Sequence, residues 1–288
     1  MKKSLLPFCV LVLAILFVVS SGHTVAPAEN KFLENVAKIS AGADSAARRA
    51  AIVKRMDEVG VNHRLESFTH EKKTGLNLVG ELKGNQTKTI MLTAHYDRVP
   101  QGFGAVDNAS GVAAVLELLT DFHDNPLKNY KVTAAFFDLE ELGLFGSKEY
   151  VTAHKKDGLP TIAINFDVFG YGDTLWVMTP NKKAPSAVAT KKICDAAKFP
   201  LHLGSDYPDS DHESFIAAKV ETLGVSLIDG KEITPIYNVI IKGERPATMP
   251  RLLTFMHSPG DTVDKIDANA ASRAIAILNK CIRAIDGN

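Results

Sequence analysis

A chain of 288 residues with 33 basic and 33 acidic side chains carries a formal net charge of zero, which excludes the basic footprint of a nucleic-acid-binding protein. With 45% hydrophobic residues, the length supports one large α/β domain, or at most two, with a core that needs no cross-links.

Met1, Lys2 and Lys3 precede an almost unbroken apolar run over 5–19, followed by Ser20, Ser21 and Gly22. A short positive region, a run short for a span of roughly 20 residues, and small residues for cleavage read as an export signal rather than an uncleaved anchor. Cys9 lies inside the run, not at its end, which argues against a lipoprotein anchor. The signal is expected over 1–22, with the mature chain starting near His23 or a little later, after Ala26. A single domain is expected over 23–288, secreted or periplasmic and without stable membrane association once the signal is removed.

Residues 30–39 and 45–59 have helical periodicity. Residues 63–70 and 76–82 alternate as strands, with Thr74 and Gly75 as the turn between them. The apolar run over 89–94 predicts a strand buried on both faces. A helix over 111–122, a buried strand over 132–137, a helix over 144–154 and a buried strand over 161–166 follow. A helix over 186–197, a strand over 222–227 and a final helix over 268–285 complete the series. In the last helix Ala271, Ile275, Leu278, Ile282 and Ile285 share one face. Ser210 and Glu213 fit a capping box for a helix that follows, the alternative being a place in a site wall for Asp211 or His212. Cys194 and Cys281 both fall in helices, so a disulfide and two buried free thiols are equally open. Alternating buried strands and helices predict a three-layer α/β/α sandwich around a mostly parallel mixed sheet.

His95, the adjacent Glu140 and Glu141, and Asp167 each fall at or just past the C-terminal end of a buried strand. That edge is where open α/β sheets bind ligands. Asp107 and His257 add a further carboxylate and a second imidazole. Zinc takes histidine nitrogen and carboxylate oxygen, usually with three protein ligands at a catalytic site. Five such side chains, one of them shared, give each of two ions three ligands, and one glutamate of the pair remains to act as a base. No GxGxxG, Walker or nucleophile-elbow spacing occurs, which disfavours phosphate-loop and serine-hydrolase chemistry. His23, His63, His70, His123, His154 and His202 lie singly in polar segments and receive no role.

The segments TAHYD, AVDNASGVA, FFDLEELGLFGS, INFD, SDHESF and MHSPGDT occur in that order between about positions 90 and 265. Together they resemble the secreted di-zinc aminopeptidase family, which includes glutamate-carboxypeptidase-type enzymes and glutaminyl cyclases. The resemblance covers most of the mature chain and is specific as a combination. It implies a zinc-exopeptidase (phosphorylase/hydrolase-like) fold and two Zn2+ ions per chain. It also implies that Asp107 bridges both metals, that His95 and Asp167 complete one site, and that Glu141 and His257 complete the other. Glu140 matches the general base.

Asp97 matches a residue that orients the His95 imidazole, since a ligating histidine usually donates its other N–H to a carboxylate or carbonyl. Asp261 is a candidate for the same service to His257. Small residues over 108–111 would let the backbone approach the metals, and Asn or Ser there also suits a helix cap. His212 competes with His257 as a ligand but lacks the family position. Several family members carry a tyrosine before the last histidine ligand, where it stabilises an oxyanion. Here that residue is Met256, which donates nothing, so Tyr207 or Tyr237, or the metals alone, must serve. Val168, Phe169, Tyr207, Phe215 and Tyr237 are the candidate pocket residues.

The expected function is an exported di-zinc aminopeptidase acting on peptides with a free N-terminus. The alternative is a glutaminyl cyclase forming N-terminal pyroglutamate with one zinc on the same fold, although DNASG here differs from the DSA of such enzymes. A carboxypeptidase for acidic C-termini usually carries extra domains. A non-catalytic binding domain would have lost metal ligands, and none is missing.

Overall fold

The computed structural model describes residues 30–156 and 158–287. The expected signal over 1–22 and the mature start near His23 lie outside them. Helices α1 (Lys31–Ser40) and α2 (Ser45–Val59) open the described chain. Asn30 and Asp44 cap them by accepting from the amides of Leu33 and Ala47.

Strands β1 (Asn62–His70) and β2 (Lys73–Glu81) form a hairpin whose turn is Glu71-Lys72, not Thr74-Gly75. Both turn residues have positive φ, 43° and 66°, as a two-residue hairpin turn of primed type requires. Gly75 sits inside β2 because the Phe68 ring fills its side-chain space: a Cβ there would lie 2.3 Å from Phe68 Cζ.

β3 (Lys88–His95), α3 (Ser110–Asp124), β4 (Tyr130–Phe137), α4 (Phe145–His154) and β5 (Ile162–Phe166) follow, close to the predicted positions. β6 (Thr174–Met178), α5 (Pro185–Ala197), β7 (Leu201–Gly204), α6 (His212–Ala217), β8 (Glu221–Ile228), α7 (Ile233–Ile240), α8 (Arg251–Phe255) and α9 (Ala268–Asp286) complete the described chain. Strands β6 and β7 and helices α7 and α8 were not expected from sequence. They have only 4 to 8 residues each, too few for periodicity to separate them from loop.

Among the described residues, eight strands form one sheet in the order β1-β2-β4-β3-β5-β8-β6-β7. β4, β3, β5 and β8 are mutually parallel, as are β6 and β7, while β1, β2 and the β8-β6 pair are antiparallel. Alternation along the strands feeds two cores. Leu78, Ile90, Leu92, Phe136 and Ile164 pack with residues of α1, α2, α3, α5 and α9. Val79, Met91, Ala135, Phe137 and Ala163 pack on the opposite face with Tyr150 of α4 and Phe215 of α6. The sheet is therefore covered on both faces, in three layers.

The capping box is not formed. Ser210 is buried, and its Oγ accepts from Asn165 Nδ2 of β5 at 3.2 Å, so α6 begins without a side-chain cap. Cys194 and Cys281 are buried free thiols where α5 packs on α9, without a disulfide, and Cys281 Sγ faces the Thr190 carbonyl at 4.0 Å. No described helix is long and apolar enough to cross a membrane.

Candidate functional site

The central strands β4, β3 and β5 are parallel neighbours, so their C-terminal ends lie side by side. His95 is the last residue of β3, Glu140 and Glu141 follow β4, and Asp167 directly follows β5. Leu139, Val168 and His257 all have left-handed backbone, with φ of 58°, 56° and 58°. Such conformations are costly for residues other than glycine and gather where a side chain must be aimed.

Asp107 lies in a tight turn over Ala105–Ala109, just before α3. Its peptide bond to Asn108 is cis. Asn108 Nδ2 donates to the Phe166 carbonyl at 2.8 Å, and Asn108 Oδ1 accepts from Gly111 N at 2.9 Å. The small residues here thus bring the turn against the end of β5: a Cβ on Gly111 would lie 2.6 Å from Phe166 O. Asp97 Oδ1 stands 3.3 Å from His95 Nδ1. The Asp97 oxygens also accept from Glu140 N at 3.1 Å and Glu141 N at 3.2 Å, tying the two glutamates to the end of β3.

The six side chains converge. Asp107 turns Oδ1 to His95 Nε2 at 3.2 Å and Oδ2 to His257 Nε2 at 2.9 Å. His95 Nε2 is 3.4 Å from Asp167 Oδ1 and 4.0 Å from Glu140 Oε2. His257 Nε2 is 3.3 Å from Glu141 Oε2. Donor atoms of His95, Glu140 and Asp167 lie within 4.8 Å of one another, as do those of Asp107, Glu141 and His257. Glu141 Oε1 and Asp167 Oδ1 are buried without a hydrogen-bond partner. Buried carboxylate oxygens left unpaired are costly unless a cation meets them, and this set of imidazoles and carboxylates fits two divalent cations.

The electrostatics carry the same strain. Burial pushes Glu140 well above the usual carboxylate range, and Asp211, Asp167 and Asp107 add to the rise. Burial, with Asp107, pushes Glu141 up to about 7. Burial also acts to raise Asp107, but hydrogen bonds with His257 and His95 hold its carboxyl below the usual range. His257 is raised to about 9, chiefly by its hydrogen bond to Asp107.

Sequence reasoning undervalued Asp211. It is fully buried and close enough to Glu140 to raise it. The signal was present in SDHESF, and the capping-box pattern concealed it. His212 is also buried and packs edge-on against Tyr207, with centroids 5.3 Å apart, outside both donor groups. Asp261 does not serve His257: its oxygens accept from Val106 N and Asp107 N.

A cavity of about 330 Å³ opens beside the cluster. Val168 and Tyr207 line it as expected, with Trp176, Ile228, Ile236, Leu252 and Met256. Phe169 and Phe215 do not line it, because both are fully buried in the two cores. Tyr237 does not line it either, and packs half-buried against the apolar cluster that includes Trp176 and Ile236. The Tyr207 hydroxyl lies 2.5 Å from Ser226 Oγ, and Ser226 donates to the Asp167 carbonyl. Serine has one hydroxyl proton and a carbonyl has none, so Tyr207 must donate to Ser226. Its proton is therefore committed and not presented to the cavity.

Residues 77–282 match the sequence profile of Peptidase family M28. A probable leucine aminopeptidase of Arthroderma otae is 29% identical over 200 residues, which are 65% of this chain and 51% of that protein. The chain spans about half the length of the first leucine aminopeptidases it matches. Among solved structures, the zinc aminopeptidase BSAP from Bacillus subtilis aligns with a TM-score of 0.58 and 23% identity, over 74% of this chain and 50% of that one. Glutaminyl cyclase of Porphyromonas gingivalis aligns with a TM-score of 0.71 and 16% identity, over 88% of this chain and 96% of that one. At these identities the structural likeness is one of fold.

Proposed function

The chain belongs to Peptidase family M28, and on that premise we propose that it is an exported zinc aminopeptidase. The observation that carries the reading is the position of Asp107, whose two oxygens face His95 and His257 separately. His95 and Asp167 would hold one ion with Asp107, and Glu141 and His257 the second with the same carboxylate. Zinc bound there supplies Lewis acidity, polarising the carbonyl of the first peptide bond and making water a better nucleophile.

The residues of the chain do the rest. Glu140 takes the proton from the attacking water and delivers it to the departing amine. Its raised pKa belongs to a buried carboxylate further crowded by like charges, and cations beside it favour the ionised, proton-accepting form. Asp97 keeps Glu140 and Glu141 in place through their amides. The carboxylates attract the free α-amine, and the cavity walled by Trp176, Ile236, Leu252 and Met256 takes the first side chain. The apolar segment over 5–19, followed by small residues, supports export with a signal over 1–22 and one catalytic domain over 23–288.

The test is direct. The protein lacking residues 1–22 is loaded with zinc and given free-amine, N-acetylated and Gln-initiated peptides, with products read by mass spectrometry. Stepwise loss of N-terminal residues from free-amine peptides alone is expected. Loss of ammonia from the Gln-initiated peptides without cleavage would establish a glutaminyl cyclase instead.

A further inference from the structure

Arg48 of α2 lies outside the stretch that matches the family profile, and it is fully buried. Its guanidinium is spent on three main-chain carbonyls. Nε donates to Tyr96 O at 2.5 Å, Nη1 to Phe103 O at 3.0 Å and Nη2 to Gly104 O at 3.1 Å. Tyr96 stands between His95 and Asp97, and Gly104 immediately precedes the turn that carries Asp107. One planar group therefore joins the two ends of the loop that separates these side chains.

The local packing is built around it. A Cβ on Gly42 would lie 2.7 Å from Arg48 Cγ, and one on Gly104 would lie 3.2 Å from Arg48 Nη1. Gly104 also has a φ of 59°, which glycine adopts without penalty. Among the described residues the guanidinium makes no contact ion pair, and the charges that offset its burial are those of Asp97, Asp107 and Asp261. A buried cation without a contact anion is costly. A side chain serving only to fill space would be cheaper if apolar.

We infer that Arg48 is a positioning residue for the metal centre: by holding the Tyr96, Phe103 and Gly104 carbonyls at once, it sets His95 and Asp97 against Asp107. The inference rests on the zinc reading above. Lysine keeps the charge but has no planar fork to span three acceptors, so it separates geometry from charge.

The experiment compares wild type, Arg48→Lys, Arg48→Met and Ile52→Val. Ile52 is buried on the same helix and controls for simple loss of helix packing. Zinc affinity is measured by chelator competition, with thermal unfolding of the metal-free protein and kcat and KM alongside. Both Arg48 variants are expected to bind zinc about 10–100-fold more weakly, the usual cost of losing support behind the ligands. Their kcat should fall with KM little changed, and Ile52→Val should keep wild-type zinc affinity. Should Arg48→Met not fold, Arg48→Lys decides. Wild-type zinc affinity and kcat in Arg48→Lys, or an equal affinity loss in Ile52→Val, overturns the assignment. A wild-type protein that binds no zinc overturns the underlying reading first, and this inference with it.

Discussion

The Asp261 carboxylate grips the main chain at Asp107, 154 positions away, accepting from Val106 N at 2.7 Å and Asp107 N at 3.1 Å. Burial raises its carboxyl to about 6, against the pull of those same amides. Asp261 therefore shapes the turn that presents the Asp107 carboxylate. Asp261→Ala leaves two buried N–H groups without an acceptor, a loss of about 1–3 kcal/mol for each group so stranded. Thermal unfolding of the metal-free protein should show a clear drop in midpoint. An unchanged midpoint would mean that water replaces the carboxylate.

Asp107 and His257 should differ in their effect on metal content. Asp107→Ala removes the carboxylate proposed to serve both ions, so both ions should be lost. His257→Ala damages one set, so one ion should remain. Elemental analysis after dialysis reads the stoichiometry directly, and two ions retained by Asp107→Ala would refute the bridging role.

Glu140→Gln keeps the shape of the site and removes the proposed base. Zinc content should stay at the wild-type level while turnover falls by about 10²–10⁴-fold, the usual contribution of a positioned acid–base group. Near-normal kcat in a zinc-replete variant would rule out Glu140 as the base.

Tyr207→Phe tests the oxyanion question. The Tyr207 proton is held by Ser226, so kcat should change only a few-fold, whereas loss of a true oxyanion donor costs about 10²–10³. Stability should fall by about 1 kcal/mol from the lost hydrogen bond. Steady-state kinetics beside a melting curve separates the two effects.

Gly111→Ala should be poorly tolerated. The added methyl would sit 2.2 Å from Asn108 Oδ1 and 2.6 Å from Phe166 O, and overpacking of this kind costs about 1–3 kcal/mol. A variant with wild-type melting and activity would show that the Asn108 side chain moves aside freely.

The long elements were legible because burial imposes a period. Strands β3, β4 and β5 read as apolar runs, and α9 as an amphipathic helix whose Ala271, Leu278, Ile282 and Ile285 are indeed buried. The hairpin turn was misplaced because glycine suggests a turn, whereas Gly75 is set by the Phe68 ring across the strand pair. The part of the cavity wall beyond Val168 and Tyr207 was missed because α7, α8 and β6 are too short to show a period. Phe169 and Phe215 drew attention as aromatics near motifs, yet both belong to the cores.

By itself the sequence determined the parts and their order: two histidines and the carboxylates, several at the ends of buried strands, where parallel pairing brings neighbours to one edge. Only the tertiary structure decided how they are held. Asp97 accepts the amides of the glutamates, Asp261 those at Asp107, and Arg48 spans the loop between His95 and Asp107. These contacts join positions far apart in the chain, and hydrogen bonds to backbone groups leave no trace in residue identity. They exist only once the sheet, its two helical layers and the left-handed turns at Leu139, Val168 and His257 have brought the backbone together.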